Sequence, residues 1–476
     1  MVLTEAAMMT TIRDLVDLAP RATGTPGGEA AADYVAERMS RAGLSTEVLE
    51  VPSFRWEARE CRLETDGVAI PCAPVLHSGL RDHEQIGDVD HDVRARIVDI
   101  GTDRVRRHDV RGAVVLFDLT FDMTLAHSLP LARYIHDPGR RMLRRDVLGS
   151  RNPYVTSLAR TMTEAAAAGA VALIGVLRDY PDSARYHNEY YRRTLFSLPG
   201  VWITRAEGRR LRDVLASRGG PSSAALTLHV SRRAVTSRSV IGVLPGRTRD
   251  AVMVQSHHDS VGPGAVEDAS GTAEVIALAE YAGAEAARGR LREKTLLFVT
   301  FDTHFTGYQA HQEFARRHVL SRRAPWRIVL NATIEHIGLR AVEGSDGGFR
   351  ATGDTEPRGI FVNVNPLFAL RIARGIRRHG LPATTLLDAT ALEFFAGGIP
   401  TDASFTLVAG VPTVSLISGP LYLYDDADTI ERIDRSQLVP VARLFLDVID
   451  DADRRPGGLL GFIPRPLRLL LPRGRW

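Results

Sequence analysis

Cysteine, lysine and long apolar runs are scarce in this chain of 476 residues. The two cysteines, Cys61 and Cys72, exclude a disulfide framework and a cysteine-rich zinc site, and we expect both to be reduced core residues. No apolar run reaches the ~18 residues of a membrane span, and no basic region precedes an apolar core near the amino terminus. These absences predict a cytoplasmic protein.

Positive charge comes almost entirely from arginine, since Lys294 is the single lysine. The net charge is only +3, and the basic residues are spread along the chain. Nucleic-acid-binding proteins usually show a clustered basic stripe with interleaved aromatic residues. We therefore predict no nucleic-acid partner.

Strand and helix patterns alternate from residue 236 to residue 455, as in the strand TLLFVTF and the helix YQAHQEFARRHV. Such alternation predicts an α/β domain with a mostly parallel sheet sandwiched by helices, to which residues 1–57 contribute a further helix and strand. Short β-rich runs dominate residues 58–235, which indicates an inserted β-rich module.

The carboxyl-terminal tail, residues 456–476, is apolar, basic and interrupted by prolines. Proline breaks a continuous amphipathic helix, so the composition favours packing on the domain or on a partner over membrane contact. No feature of the sequence predicts an oligomeric state.

The segment SHHDSVGPGAVEDASG combines imidazoles and carboxylates where a strand ends and a helix begins. His257, Glu267 and Asp268 are residue types that suit Zn²⁺ or a similar cation, and Asp259 could orient the imidazole of His257. The alternative, given equal weight, is a hydrogen-bonded cluster that caps the helix.

The turn in FVTFDTHFTGYQ follows a buried strand and offers a single imidazole, His304, and no glutamate. A histidine is a competent general base near neutral pH, so His304 could take a proton from metal-bound water. The alternative is an inert turn residue in an inactive site. We interpret His311, on the next helix, as a surface or capping residue.

Five motifs follow one another along the chain: HHDS, GAVEDASG, THFTG, TIEHIG and LYDDADT. In this order and spacing they resemble the co-catalytic zinc exopeptidases, which include aminopeptidases, glutamate carboxypeptidases and the transferrin receptor. The inserted region, with VRGAVVLF and SLPGVWITRAEGRRL, is similar to a protease-associated domain. The resemblance implies the exopeptidase α/β fold for nearly the whole chain before the tail.

The resemblance also implies roles for individual residues. His257 matches the family's first metal ligand and Asp259 its orienting acid. Glu267 falls on the bridging aspartate, although a shift of one residue would place Asp268 there. Glu335 falls on a later aspartate ligand, whereas its neighbour His336 alternates to the other face of the strand and is interpreted as structural.

Three positions depart from the family pattern. His304 falls on the catalytic glutamate, Phe305 on a glutamate ligand and Tyr424 on the terminal histidine ligand. Phe305 cannot coordinate a metal. The ligands of one metal, His257, Glu267 and Glu335, are therefore retained, and those of the other are lost.

The resulting prediction is a hydrolase of a peptide or other small amide that uses one divalent metal, zinc or alternatively manganese. His304 would act as base, and Tyr424 would steady an oxyanion. The metal ligands would all lie after residue 250, and the inserted module would only wall or cover the cleft. The alternative is an inactive pseudo-peptidase that binds a peptide or a partner protein.

Overall fold

The computed structural model describes residues 2–188, 194–217, 222–395 and 398–461, so most of the predicted tail, residues 462–476, lies outside the described residues. The helices are α1 (Glu5–Asp17), α2 (Pro26–Arg41), α3 (Leu125–Ser128), α4 (Arg145–Leu148), α5 (Leu158–Ala167), α6 (Arg205–Ser217), α7 (Ser270–Ala287), α8 (Gln309–Phe314), α9 (Pro366–His379), α10 (Ala389–Phe395), α11 (Ser404–Val408) and α12 (Arg435–Asp453). The strands are β1 (Ser45–Thr65), β2 (Val68–Ala69), β3 (Ala73–Pro74), β4 (Gly87–Gly101), β5 (Val114–Asp118), β6 (Ala132–His136), β7 (Ala172–Val176), β8 (Gly200–Ile203), β9 (Ser223–Leu244), β10 (Thr248–His257), β11 (Lys294–Phe301), β12 (Arg327–Ile334), β13 (Leu339–Glu343), β14 (Phe349–Thr355), β15 (Arg358–Val362), β16 (Thr384–Asp388) and β17 (Thr413–Ser418).

A mixed sheet of 15 strands organises the described chain. At its centre β11, β10, β12 and β17 lie side by side and run parallel, while β9 flanks β11 in the antiparallel direction. These central strands are buried nearly throughout, as expected for a sheet covered on both faces. The predicted fold class is confirmed.

Helix α9 shows how local sequence sets an element's bounds. Asn365 precedes the helix and its side chain accepts a hydrogen bond from the Phe368 N–H, and Pro366 occupies the first turn. Gly380 follows the last turn with a φ of 68°, a left-handed conformation that glycine adopts without a steric penalty. Both ends of this helix are therefore set by residues next to it in the sequence.

The first turn of helix α7 packs against the carboxyl end of β12. A Cβ atom on Gly271 would come within 2.3 Å of the Ile334 carbonyl oxygen and 2.4 Å of an Asp268 oxygen. Glycine is therefore needed where the first turn of α7 approaches β12, and this approach brings the GAVEDASG turn to the strand ends.

The inserted region joins the central sheet through two long strands. β1 and β9 pair antiparallel from Ser45 opposite Val243 to Thr65 opposite Ala224, and beyond them β4, β5, β7 and β8 run parallel. The predicted boundaries, at 57/58 and 235/236, fall inside β1 and β9. The division into domains stays a prediction.

No helix among the described residues is both long and apolar enough to cross a membrane.

Candidate functional site: a buried carboxylate among three imidazoles

The predicted site residues gather at the carboxyl ends of the central strands. His257 ends β10 and pairs with Phe301, the last residue of β11, so the turn that carries His304 begins beside it. Glu335 follows β12 directly. In parallel α/β sheets this edge is the usual place for ligands.

The Glu267 carboxylate lies at the centre of the cluster. Its Oε1 is 3.2 Å from Nε2 of His257 and 3.4 Å from Nε2 of His304, and its Oε2 is 2.5 Å from Nε2 of His336. All four side chains are buried. Three ring nitrogens therefore converge on one carboxylate.

The turn before α7 presents Glu267 to the imidazoles. The backbone N–H groups of Val266 and Glu267 donate to the Asp428 carboxylate at 2.8 to 3.1 Å, and Gly264 opens the turn in the left-handed region, with a φ of 58°. Asp428 thus anchors the backbone that carries Glu267, a role that the sequence did not reveal.

The neighbouring acids support the cluster through other atoms. Asp259 accepts from Nδ1 of His257 through its backbone oxygen at 3.1 Å, and its Oδ1 lies 3.3 Å from the same nitrogen. Asp268 accepts from the Ser256 hydroxyl and from the N–H groups of Gly271 and His336. Asp259 therefore lies where it could orient His257, and this role stays a prediction. Of the two candidate bridging acids, Glu267 faces the imidazoles more centrally.

His304 lies inside the cluster. Its ring stacks on that of His257, with centroids 4.0 Å apart and planes 18° apart. Nδ1 is 3.1 Å from Oδ1 of Asp402, which leaves Nε2 directed at Glu267. His304 is thus placed as a ligand candidate as well as the predicted base.

Glu335 sits at the edge of the group rather than in it. Its Oε1 accepts from the Asp402 N–H at 2.9 Å. Two clusters among the described residues bring three ligand atoms within 4.8 Å of one another: His257, Glu267 and His304, and His257, Asp268 and His336. Glu335 is in neither, so the predicted set His257, Glu267 and Glu335 is not brought together at that spacing.

The prediction that His336 faces away from the site is wrong, whereas the structural role predicted for it stays a prediction. Its φ of 58° departs from the extended strand, so the alternation that placed it opposite Glu335 no longer applies. Its Nδ1 donates to the Ser418 carbonyl oxygen at 2.9 Å, which turns Nε2 toward Glu267.

The interpretation of His311 as a surface or capping residue is also wrong. The side chain is buried, and its Nε2 is 2.8 Å from Oδ2 of Asp402. Asp402 itself was missed, because it comes from the segment before α11, where no recognisable motif marks it.

Charges inside the cluster stabilise one another. Burial alone would raise the pKa of Glu267, but His336 and His257 outweigh it and hold this pKa well below its usual range. Burial would lower the pKa of His336, yet Glu267 raises it to about 10. Burial raises the pKa of Glu335 well above its usual range, with Asp402 adding to the shift. The surrounding imidazoles therefore favour the ionised form of Glu267, whereas burial favours the neutral form of Glu335.

Phe305 and Tyr424 occupy the neighbouring positions, as the sequence indicated. Their rings meet edge to face, with centroids 5.8 Å apart, and both side chains are buried. The Phe305 ring also lies 5.0 Å from that of His304. Two aromatic rings thus occupy the space beside the imidazoles.

Residues of the inserted region cover the site. His77 donates from Nε2 to the Phe305 carbonyl oxygen at 2.7 Å, and the Tyr154 hydroxyl is 3.0 Å from Nδ1 of His336. The His187 N–H donates to the Tyr424 carbonyl oxygen at 2.6 Å. All members of the two clusters lie after residue 250, so in the described chain this region covers the site without joining either cluster.

A small cavity of about 20 Å³ remains beside the cluster, room for about one water molecule. Its lining includes His304, Glu335, His336 and Tyr424.

The donor set suits a divalent metal ion. Nε2 of His257, Nε2 of His336 and both carboxylate oxygens of Glu267 are buried and face one another, and none of them has a hydrogen-bond partner outside this group. Buried polar atoms are normally satisfied, and imidazole nitrogens with a carboxylate are ligands that zinc accepts. A cation would give these atoms a partner other than one another.

Comparisons with known proteins point to metal-dependent peptidases. Residues 239–340, which carry most of the cluster, match the model of Peptidase family M28. A stretch of 129 residues is 26% identical to Leucine aminopeptidase 1 of Trichophyton equinum, and it covers 25% of this chain and 31% of that protein. The chain thus matches about a third of the length of this curated relative.

Two solved structures share the fold along nearly their whole length. The aminopeptidase from Aneurinibacillus sp. strain AM-1 superposes with a TM-score of 0.64 at 20% identity, with 97% of this chain and 96% of that one covered. A zinc aminopeptidase from Bacillus subtilis gives a TM-score of 0.66 at 18% identity, with 97% and 98% covered. The fold is that of the zinc exopeptidases. The predicted resemblance to the zinc exopeptidases is confirmed, most specifically by the Peptidase family M28 match at residues 239–340, and the resemblance of the inserted region to a protease-associated domain stays a prediction.

Proposed function

We propose that this chain is a metal-dependent hydrolase of peptide or related amide bonds that works with one divalent metal ion. The observation that carries the proposal is the buried Glu267 carboxylate, which faces Nε2 of His257 and of His304 at 3.2 and 3.4 Å. The peptidase family match and the aminopeptidase relatives support the reaction class.

The ligands in this proposal are His257, Glu267 and His304, so His304 takes the place that the sequence gave to Glu335. Two imidazoles and one carboxylate with an open position match catalytic zinc sites, and manganese is the alternative if oxygen ligands dominate. A metal bound there would polarise a carbonyl group and lower the pKa of a coordinated water.

The surrounding residues hold these ligands in place. Asp259 accepts from Nδ1 of His257, and Asp402 lies at Nδ1 of His304. Each contact leaves Nε2 directed at Glu267, which is how ligand imidazoles are commonly oriented. Tyr424 lines the adjoining cavity, where its hydroxyl would steady an oxyanion.

The variant His304→Ala separates the two roles open to this residue. A ligand role predicts that the variant loses tightly held zinc together with amide hydrolysis. A base role predicts that zinc content stays near wild type while the rate falls roughly 10²- to 10⁴-fold. Zinc content after dialysis and hydrolysis of a panel of aminoacyl and peptidyl amides would be measured side by side. Unchanged zinc and unchanged hydrolysis would overturn both roles.

A second candidate is a peptide-binding or protein-binding module without catalysis. It is favoured by the aromatic pair Phe305 and Tyr424 and by the closure of the site under the inserted region. This candidate predicts neither hydrolysis of the amide panel nor a zinc-dependent change in thermal stability.

A further inference from the structure

Asp402 joins two buried imidazoles in a single contact chain. Its Oδ1 is 3.1 Å from Nδ1 of His304, and its Oδ2 is 2.8 Å from Nε2 of His311. The Asp402 N–H donates to Glu335, which fixes the backbone as well. All of these side chains are buried, and among the described residues no lysine or arginine forms an ion pair with Asp402.

A carboxylate can only accept hydrogen bonds. The nitrogens that face Asp402, Nδ1 of His304 and Nε2 of His311, must therefore both carry hydrogen. In a neutral His304 ring the proton on Nδ1 leaves the lone pair on Nε2, the nitrogen that faces Glu267 at 3.4 Å. The position of Asp402 thus sets both the tautomer and the direction of the ring.

His311 holds the other end of the carboxylate. Its ring stacks on Phe301, with centroids 4.0 Å apart, and contacts Phe405 at 5.3 Å. These rings come from β11 and α11. His311 is therefore a rigid donor that keeps Asp402 from rotating away from His304.

We propose that Asp402 is a positioning residue that presents Nε2 of His304 to the metal ion, with His311 as its anchor. This inference rests on the proposed function, in which His304 is a ligand. Residues that hydrogen-bond to ligand imidazoles typically change metal affinity by about 10- to 100-fold when they are altered.

The zinc affinity of the metal-free protein, measured by competition with a chromophoric chelator, tests the proposal. Asp402→Asn should weaken zinc binding about 10- to 100-fold. The amide oxygen can accept a hydrogen bond from one imidazole, but the amide nitrogen only donates and cannot accept from the other. Asp402→Glu should recover part of the loss. As a control, Asp434→Asn alters a buried acid that contacts Thr355 and Ser436 and should leave the affinity unchanged.

Two further variants separate positioning from simple packing. His311→Gln keeps an N–H near Nε2 and should stay within a few-fold of wild type, whereas His311→Phe keeps the ring without a donor and should approach Asp402→Asn. The ¹⁵N shifts of the His304 ring should report a proton on Nδ1 in the wild type and a mixed tautomer in Asp402→Asn.

The outcomes distinguish this inference from the function on which it rests. If the wild type binds no zinc, the proposed function fails. If the wild type binds zinc and Asp402→Asn binds it equally well with unchanged His304 shifts, only the positioning role is overturned. Equal effects of His311→Gln and His311→Phe would likewise reject His311 as a donor.

Discussion

The site has a polar, ionisable side and an aromatic side that lie next to each other. On the imidazole side, His257, His304 and His336 surround the Glu267 carboxylate at 2.5 to 3.4 Å. On the aromatic side, Phe305 and Tyr424 meet edge to face. Adjacent residues of the same turn, His304 and Phe305, thus belong to different sides.

The difference explains why one cation is expected rather than two. The imidazole side offers several buried nitrogen and oxygen atoms that have no hydrogen-bond partner outside the cluster, and a metal would coordinate them. A charge placed against the aromatic side would lose its hydration and gain few ligands, a cost that proteins normally avoid. Under the one-metal proposal, a cation is therefore expected on the imidazole side and not on the aromatic side.

The largest expected effect follows from removing the imidazole between Asp259 and Glu267. His257→Ala deletes a ligand and leaves Glu267 with a poorer donor set, so zinc affinity should fall by more than the ~100-fold typical of supporting residues. Amide hydrolysis should fall to background. Zinc content after dialysis and the hydrolysis rate provide the measurement.

The matched control is His108→Ala. His108 belongs to the inserted region, is 29% exposed and lies 3.3 Å from Asp103, so its loss should alter neither quantity. A His257→Ala variant with full zinc content would show that the imidazole side is not the metal site.

The next effect comes from converting the aromatic side to the ligand types that the exopeptidase resemblance implies. Phe305→Glu combined with Tyr424→His supplies a carboxylate and an imidazole, and zinc content should rise from one equivalent per chain to two. The control pair Phe305→Leu with Tyr424→Phe keeps the position apolar and should stay at one equivalent. No gain in the first pair would show that more than these two side chains blocks the second ion.

A smaller effect concerns Glu274, a buried carboxyl in α7 on the same chain segment as Glu267. Both of its oxygens lack hydrogen-bond partners, and burial raises its pKa well above the usual range, opposed only by Arg358. The folded protein therefore holds a proton that the unfolded chain releases above the reference value of 4.5.

Stability should accordingly fall as pH rises above that value, by up to about 1.4 kcal/mol per pH unit from this group until the folded-state pKa is reached. Glu274→Gln should remove this slope. Urea unfolding of both proteins at several pH values checks the prediction, and parallel stability curves would contradict it. Glu267 should not make stability fall with rising pH in this way, because the imidazoles around it lower its pKa.

Much of the fold and part of the site could be predicted from the sequence. His257 and His304 were recognised because each follows a buried apolar run, and the carboxyl ends of parallel strands meet at one edge. Glu267 was recognised because GAVEDASG opens a helix. These inferences need only local patterns and the topology of an α/β sheet.

The remainder depends on backbone geometry that local patterns do not encode. His336 enters the cluster through a φ of 58°, which cancels strand alternation. Asp402 reaches His304 from a segment 98 residues away, with no motif around it. The long pairing of β1 with β9 crosses both predicted domain boundaries, because a composition change does not interrupt a strand.

Metal content tests the central claim most directly. Purified protein incubated with zinc and then dialysed would be analysed by inductively coupled plasma mass spectrometry, with metal expressed as equivalents per chain. The asymmetry between the imidazole side and the aromatic side predicts one equivalent in the wild type and a clear loss in His257→Ala. Two equivalents in the wild type, or none after reconstitution, would contradict it.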